Sequence, residues 1–225
     1  MTRELTHNSS PLRRRTIVGC GVIALLGCIL VTAANLIGIL VVDAHNPISE
    51  TISKLAIGDY AWIQDLGLDA FAIGLFALAL GLYLRLSGGW RWQVGLGLVV
   101  LLGIDVLLIA EHNQYAGRPG RGAAIHIYCV YALYALFAAS TFLLAKNLKK
   151  LGARWHSFSL VVSVGWLVLA PFFFVVPDSW DGAYERFLAL FILVWVGGLA
   201  WKLSRSYTTN WGVNAIFRTE ISHTR

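Results

Sequence analysis

Charged side chains are what this sequence has least of. Only 13% of its 225 residues are Asp, Glu, Lys or Arg, against 57% hydrophobic, and the mean hydropathy is +0.67. A chain of this length with so little charge cannot clothe a water-facing surface, which excludes a soluble globular domain. Cysteine is nearly absent as well. Cys20, Cys28 and Cys129 all fall inside apolar runs with no Cys-x-x-Cys pair, so no disulfide framework is indicated and the three read as small buried hydrophobes. The compact motifs of hydrolytic chemistry are missing too. There is no His-x-x-x-His, no His-Glu-x-x-His and no Gly-x-Ser-x-Gly elbow.

What the chain does have is long apolar runs. A helix needs about 20 residues to cross roughly 30 Å of hydrocarbon, and six runs reach that length: 16–42, 66–86, 92–110, 123–145, 155–176 and 184–203. They are continuously apolar, whereas barrel strands alternate over about ten residues. The expected fold is therefore all-α, a six-helix transmembrane bundle over 16–203 between an N-terminal segment 1–15 and a tail 204–225. Arg13–Arg15 precede a run too long for a signal-peptide core, so the first helix is read as uncleaved. The tail carries Trp211, Val213, Ile216, Phe217 and Ile221, enough for a weak interfacial helix.

The formal net charge of +6 is placed by topology and asks for no nucleic acid. All of the 18 Lys and Arg residues except Lys54, Arg118, Arg121 and Arg186 fall on the side of the N-terminus, and of the 12 acidic residues only Glu4 and Glu220 do. By the positive-inside rule both termini are cytoplasmic, with loops 43–65, 111–122 and 177–183 outside. A cell-membrane location and membrane lipid as the partner follow as expectations.

One long polar connection stands out, DAHNPISETISKLAIGDYAWIQDL from Asp43 to Leu66. Asn46 can cap, Pro47 fits a first helical position, and Ile48, Ile52, Leu55 and Ala56 share a face, so 47–57 is expected to form a short interfacial helix lidding an outer cavity. Asp69, Asp105 and His126 enter the outer zone from three different helices, with His45, Glu111 and His112 close by. Ionisable groups at that depth cost at least a few kcal/mol unless paired, so they should face one another or a wet cavity. The candidate cavity comprises Ser53, Asp69, Asp105, Glu111, His112, His126, Glu185 and Arg186. A structural network tying the bundle together explains the same residues.

Three functions stay open. The first is a non-enzymatic protein binding lipid or a small amphiphile. The second is a metal-dependent membrane hydrolase, for which His45, His112 and His126 are the candidate zinc ligands, no cofactor being otherwise implied. The third is a small transporter, weakly marked below the site by Tyr131, Tyr134, Ser140, Thr141 and Ser163. Ser49 and Ser53 read as capping residues. Glu185 and Arg186 either bind an anionic headgroup or pair within the bundle. Pro171 is expected to kink the fifth helix, and Asp178 to cap near the sixth.

Ile52, Ser53, Lys54, Leu55 and Ala56 after the first helix, the stretch from Gly122 to His126, and Gly182, Ala183, Tyr184, Glu185 and Arg186 before the last apolar run together resemble the six-helix membrane family called domain of unknown function 998, over about 15–203. The resemblance implies a six-helix membrane protein without an assigned activity. A more distant similarity to eukaryotic lipid-remodelling membrane proteins hints at lipid.

Overall fold

The computed structural model describes residues 10–116 and 118–205; the interfacial helix expected in the tail lies outside them. Six α-helices carry the fold: α1 (Pro11–Val41), α2 (Ala61–Arg85), α3 (Trp90–His112), α4 (Arg121–Leu148), α5 (Ala153–Leu169) and α6 (Asp181–Ser204). Among the described residues there is no strand, and all six helices, α5 with its short continuation, are long and apolar enough to cross a membrane.

The helices overrun the apolar stretches because their polar ends are supported. Ser10 accepts a hydrogen bond from the Arg13 amide at 3.3 Å and Pro11 takes the first helical position, so α1 begins inside the segment expected to precede it. The Arg13 guanidinium then reaches the Leu84 carbonyl at 2.6 Å and 3.0 Å, covering an acceptor that the end of α2 leaves open. At the same end of the bundle Lys150 donates to the Ser87 carbonyl at 2.6 Å. The opposite end carries the connections 42–60, 113–120 and 170–180 and is called the loop end below.

Neighbouring helices pack in chain order from α1 to α5, and α6 closes mainly on α1, leaving the α5–α6 seam thin. The α1–α2 pair is the most extensive, and small residues make it possible. A Cβ added to Gly27 would come within 2.7 Å of the Ala70 carbonyl oxygen, so the backbones touch there. In the core, Phe137 stands edge-on to Trp166 and Trp195, with centroids 5.0 Å and 5.9 Å away. Their indole N–H groups are satisfied by the Tyr134 carbonyl and the Ser159 hydroxyl.

Pro171 does not kink α5 but ends it. The chain continues as a 3-10 helix, Ala170–Phe174. Proline has no N–H to give the carbonyl four residues back, and the Tyr134 hydroxyl supplies the Leu167 carbonyl instead, at 3.3 Å. Tyr184 likewise donates to the Leu169 carbonyl at 2.8 Å. Asp178 begins the 3-10 turn Asp178–Trp180, and no side chain caps α6, because a loop carbonyl does so. The hydroxyls of Ser140, Thr141 and Ser163 are spent on the backbone carbonyls of Phe137 and Ala138, so they mark no polar path.

Gly27→Val should push α1 off α2 and cost about 1–3 kcal/mol of stability. Gly97→Ala is the control, since a Cβ there meets nothing within 4 Å. Thermal unfolding in detergent should show a lowered midpoint for the first variant alone.

Candidate functional site

The segment 47–57 departs from the expected helix, and the reason is where its carbonyls point. A helix would need the carbonyls of Pro47, Ile48 and Glu50 for its own amides four residues on. Here Ile48 accepts from the Ala183 amide at 2.9 Å, capping the start of α6. Pro47 and Glu50 accept from Arg186 at 3.0 Å and 2.8 Å. The Ile52 amide turns to the Glu185 carboxylate. What remains is one turn held by Asn46, whose Oδ1 accepts from the Ile48 amide at 2.9 Å, followed by a 3-10 helix, Ile52–Ala56. Ser53 bonds the Thr51 hydroxyl at 3.1 Å and does not cap. Leu55 and Ala56 are fully buried, so the segment is docked on the bundle. Gly182 is required at the contact, because a Cβ there would run into the Glu50 carbonyl.

Arg186 is thus engaged mainly by the docked segment and is not simply paired with Glu185. Its guanidinium donates to three carbonyls, those of Pro47, Glu50 and Gly182, and to Asn35 Oδ1 and His45 Nε2 at 3.3 Å and 3.1 Å. Arginine has no acceptor, so His45 Nε2 must accept and its proton sits on Nδ1, which donates to Glu50 Oε2 at 3.1 Å. Lys54 approaches the other oxygen of Glu50 at 3.5 Å. Burial pushes the His45 pKa below its ordinary value; Glu50 pulls it up, and Arg186 and Lys54 press it down further. Glu50 is also held below the usual carboxylate range, chiefly by the Asn46 amide.

Next to this clamp lies a cavity of about 850 Å³, bordered by Thr51, Ile52, Ser53 and Lys54. Its body is apolar, running past Leu68, Phe71, Leu102, Val106, Leu133 and Ile192. Its loop end is lined by Asn35, Gln64, Asn113, His126, Glu185 and Arg186. Four of those side chains hold buried atoms without a protein partner: Asn35 Nδ2, both polar atoms of Gln64, Asn113 Oδ1 and His126 Nδ1. Gln64 and Asn113 are each 1% exposed. Neither was among the expected cavity residues. The signal was available, since uncharged amides at helix ends carry the same desolvation cost as charged ones in kind, though not in size.

The expected cavity residues divide into groups. Ser53, His126, Glu185 and Arg186 line the large cavity. Asp69 and Glu111 line a separate polar pocket of about 170 Å³ with Ala56, Asp65, Ala61, Ala110 and Gln114. Asp105 is buried near Cys129 with its Oδ2 lacking a hydrogen-bond partner, and it borders neither space. His112 bonds the Leu108 carbonyl of its own helix at 2.9 Å. Among the described residues no three His, Cys, Asp or Glu side chains are grouped as metal ligands. His45, His112 and His126 therefore do not come together, His45 being fixed between Arg186 and Glu50.

Six apolar helices, with loop segments docked at one end, define an integral membrane protein of the multi-pass helical class. The sequence profile described as "Protein of unknown function (DUF998)" matches residues 25–202, and the chain belongs to that family. No curated protein and no solved structure matches it.

The clamp carries a pH dependence whose sign is fixed. Docking lowers the His45 pKa, so the undocked segment binds the proton more readily. Its contribution is complete above the ordinary value of 6.5 and is lost as pH falls below it. Glu50 adds a loss at still lower pH, below the ordinary 4.5. Amide hydrogen exchange in 43–57 should accelerate between pH ~7.5 and ~5 relative to the intrinsic rate. In His45→Leu it should be fast throughout and lack that step. Unchanged protection across the range would contradict the assigned tautomer.

Proposed function

We propose that this protein is a cell-membrane protein with both termini cytoplasmic, whose cavity faces the extracytoplasmic side and binds a lipid or small amphiphile without catalysing a reaction on it. The observation that supports the reading is the pairing of an apolar cavity with unpartnered polar atoms gathered at one end. An unsatisfied buried donor or acceptor costs about 1–3 kcal/mol, and an amphiphile's polar head relieves several at once while its chain fills the rest. The clamp fits the same reading, since it fixes the segment bordering the polar end.

The metal-hydrolase alternative draws on His126. It predicts stoichiometric zinc in the purified protein, lost in His126→Ala. That result, obtained by elemental analysis, would replace the binding reading. The binding reading expects an acyl-chain amphiphile to stay with the protein through purification in mild detergent, released by organic extraction and seen by mass spectrometry, and depleted in Gln64→Leu.

Orientation is tested by thiol labelling, and the three native cysteines are buried and quiet. A cysteine at the exposed Trp180 should react with an impermeant reagent on intact cells, and one at the exposed Lys150 only after permeabilisation. The reverse pattern would invert the topology and place the cavity on the cytoplasmic side.

A further inference from the structure

We propose that the ligand of the large cavity is an uncharged-headed, single-chain amphiphile bearing hydroxyl or amide groups, of monoacylglycerol type, and that it enters sideways from the lipid. The inference rests on the amphiphile-binding reading above and names the ligand class.

The unpartnered groups that line the loop end of the cavity are amides and an imidazole; the unpartnered carboxylate oxygen of Asp105 lies outside its lining. Gln64 contributes a free donor and a free acceptor, and turning its amide over exchanges their positions without changing the pair. Asn35 and Asn113 are each half-used: Asn35 Oδ1 takes Arg186, and Asn113 Nδ2 donates to Asp65 at 3.4 Å. A head that both donates and accepts satisfies this set, and a hydroxyl or amide does both.

Charge is cancelled where it would be read. Arg186 lines the cavity, but four of its five N–H donors are committed to the docked segment, to Gly182, to Asn35 and to His45, leaving one on Nη2. Glu185, its neighbour, puts a carboxylate on the same wall and interacts with it. Lys54 is paired with Glu50. A phosphate or carboxylate would find a single N–H of the guanidinium, too few for a bidentate pair, and would face Glu185 beside it. An ammonium would face Glu185 only beside Arg186. Neither sign gains from the wall as a whole, and each gives up its hydration.

The route of entry follows from side chains that line the cavity and also face outward. Leu36 on α1 and Leu190 on α6 are 58% and 55% exposed, Phe187 is 42%, and Phe174 beyond α5 is 49%. All four are apolar and belong to segments that cross the membrane. Their outer surface meets lipid chains, so an amphiphile reaches the cavity without passing through water. Phe174, Phe187 and Leu190 belong to the two spans that meet at the thin α5–α6 seam.

Trp166 lines the cavity and supplies a reporter. The full-length protein, reconstituted in phosphatidylcholine nanodiscs, is titrated with three probes that share a dibrominated stearyl chain: the monoacylglycerol, the free acid, and the primary amine. The monoacylglycerol should quench tryptophan fluorescence saturably, and the charged probes should require at least about tenfold more. Trp166→Phe should remove the saturable component. Gln64→Leu and Asn113→Leu should each weaken the monoacylglycerol about tenfold or more. They should leave the weak response to the charged probes in place, which a misfolded protein would lose. Equal or tighter binding of the acid or the amine would overturn the uncharged head while leaving an amphiphile site. Saturable quenching that survives Trp166→Phe would move the site elsewhere. If none of the three probes saturates, the amphiphile-binding reading itself fails.

Discussion

Arg186 sits about a turn and a half into α6, in a zone where an unpaired guanidinium would cost several kcal/mol. The chain resolves that cost through neutral acceptors more than through an opposing charge. Three carbonyls, an amide oxygen and an imidazole nitrogen surround it. Two of those carbonyls belong to a connection more than a hundred residues earlier, so satisfying the arginine and folding the connection are one event. With the segment fixed there, Leu55 enters the space beside Gly38 on α1, and Thr51 to Lys54 border the cavity. Removing the guanidinium would leave the carbonyls of Pro47 and Glu50 without donors as well as freeing the segment.

The cavity exists because two helices decline to meet. α5 stops at Leu169, where Pro171 cannot continue the hydrogen-bond ladder, and the following 3-10 turn carries Phe173 and Phe174. These rings form one wall, and α6, drawn toward α1 by the clamp, forms another. Tyr134 and Tyr184 repair the carbonyls of Leu167 and Leu169 from α4 and α6, so the opening is bridged rather than frayed. Further from the loop end the helices close over Phe137 and Trp195, which limits how far an occupant could extend.

The six spans were legible because hydropathy is a local property, summed over about 20 residues without reference to any partner. The Asp43–Leu66 connection was legible as the polar centre but not as a shape. Its apolar spacing at Ile48, Ile52, Leu55 and Ala56 fits a helix, and only the donors of α6, far along the chain, decide otherwise. Depth along a helix could be read for Asp69, Asp105 and His126; direction around it could not. Asp69 therefore faces Glu111, Asp105 faces Cys129, and His126 faces the cavity, although all three enter from the same end. Asn35 and Gln64 stand near span ends in the sequence, but an uncharged amide there has a smaller desolvation cost than an ion and so constrains its surroundings less.

The distinction between charged and neutral polarity also bears on what the bundle can tolerate. A buried guanidinium must be paired as the chain folds, and a buried carboxyl such as Asp105 paired or neutralised, because the cost of a lone charge in hydrocarbon is large against the margin of stability that a domain holds. A buried amide costs about 1–3 kcal/mol when unpartnered, which a bundle of this size can carry. The arrangement follows that ordering. Arg186 has four of its five N–H donors taken by the fold, and Glu185 holds the Ile52 amide, while Gln64, Asn113, Asn35 and His126 are left open toward one space. Groups cheap enough to leave unsatisfied are the ones available to a guest, so the ions fix the walls and the neutral groups face the interior.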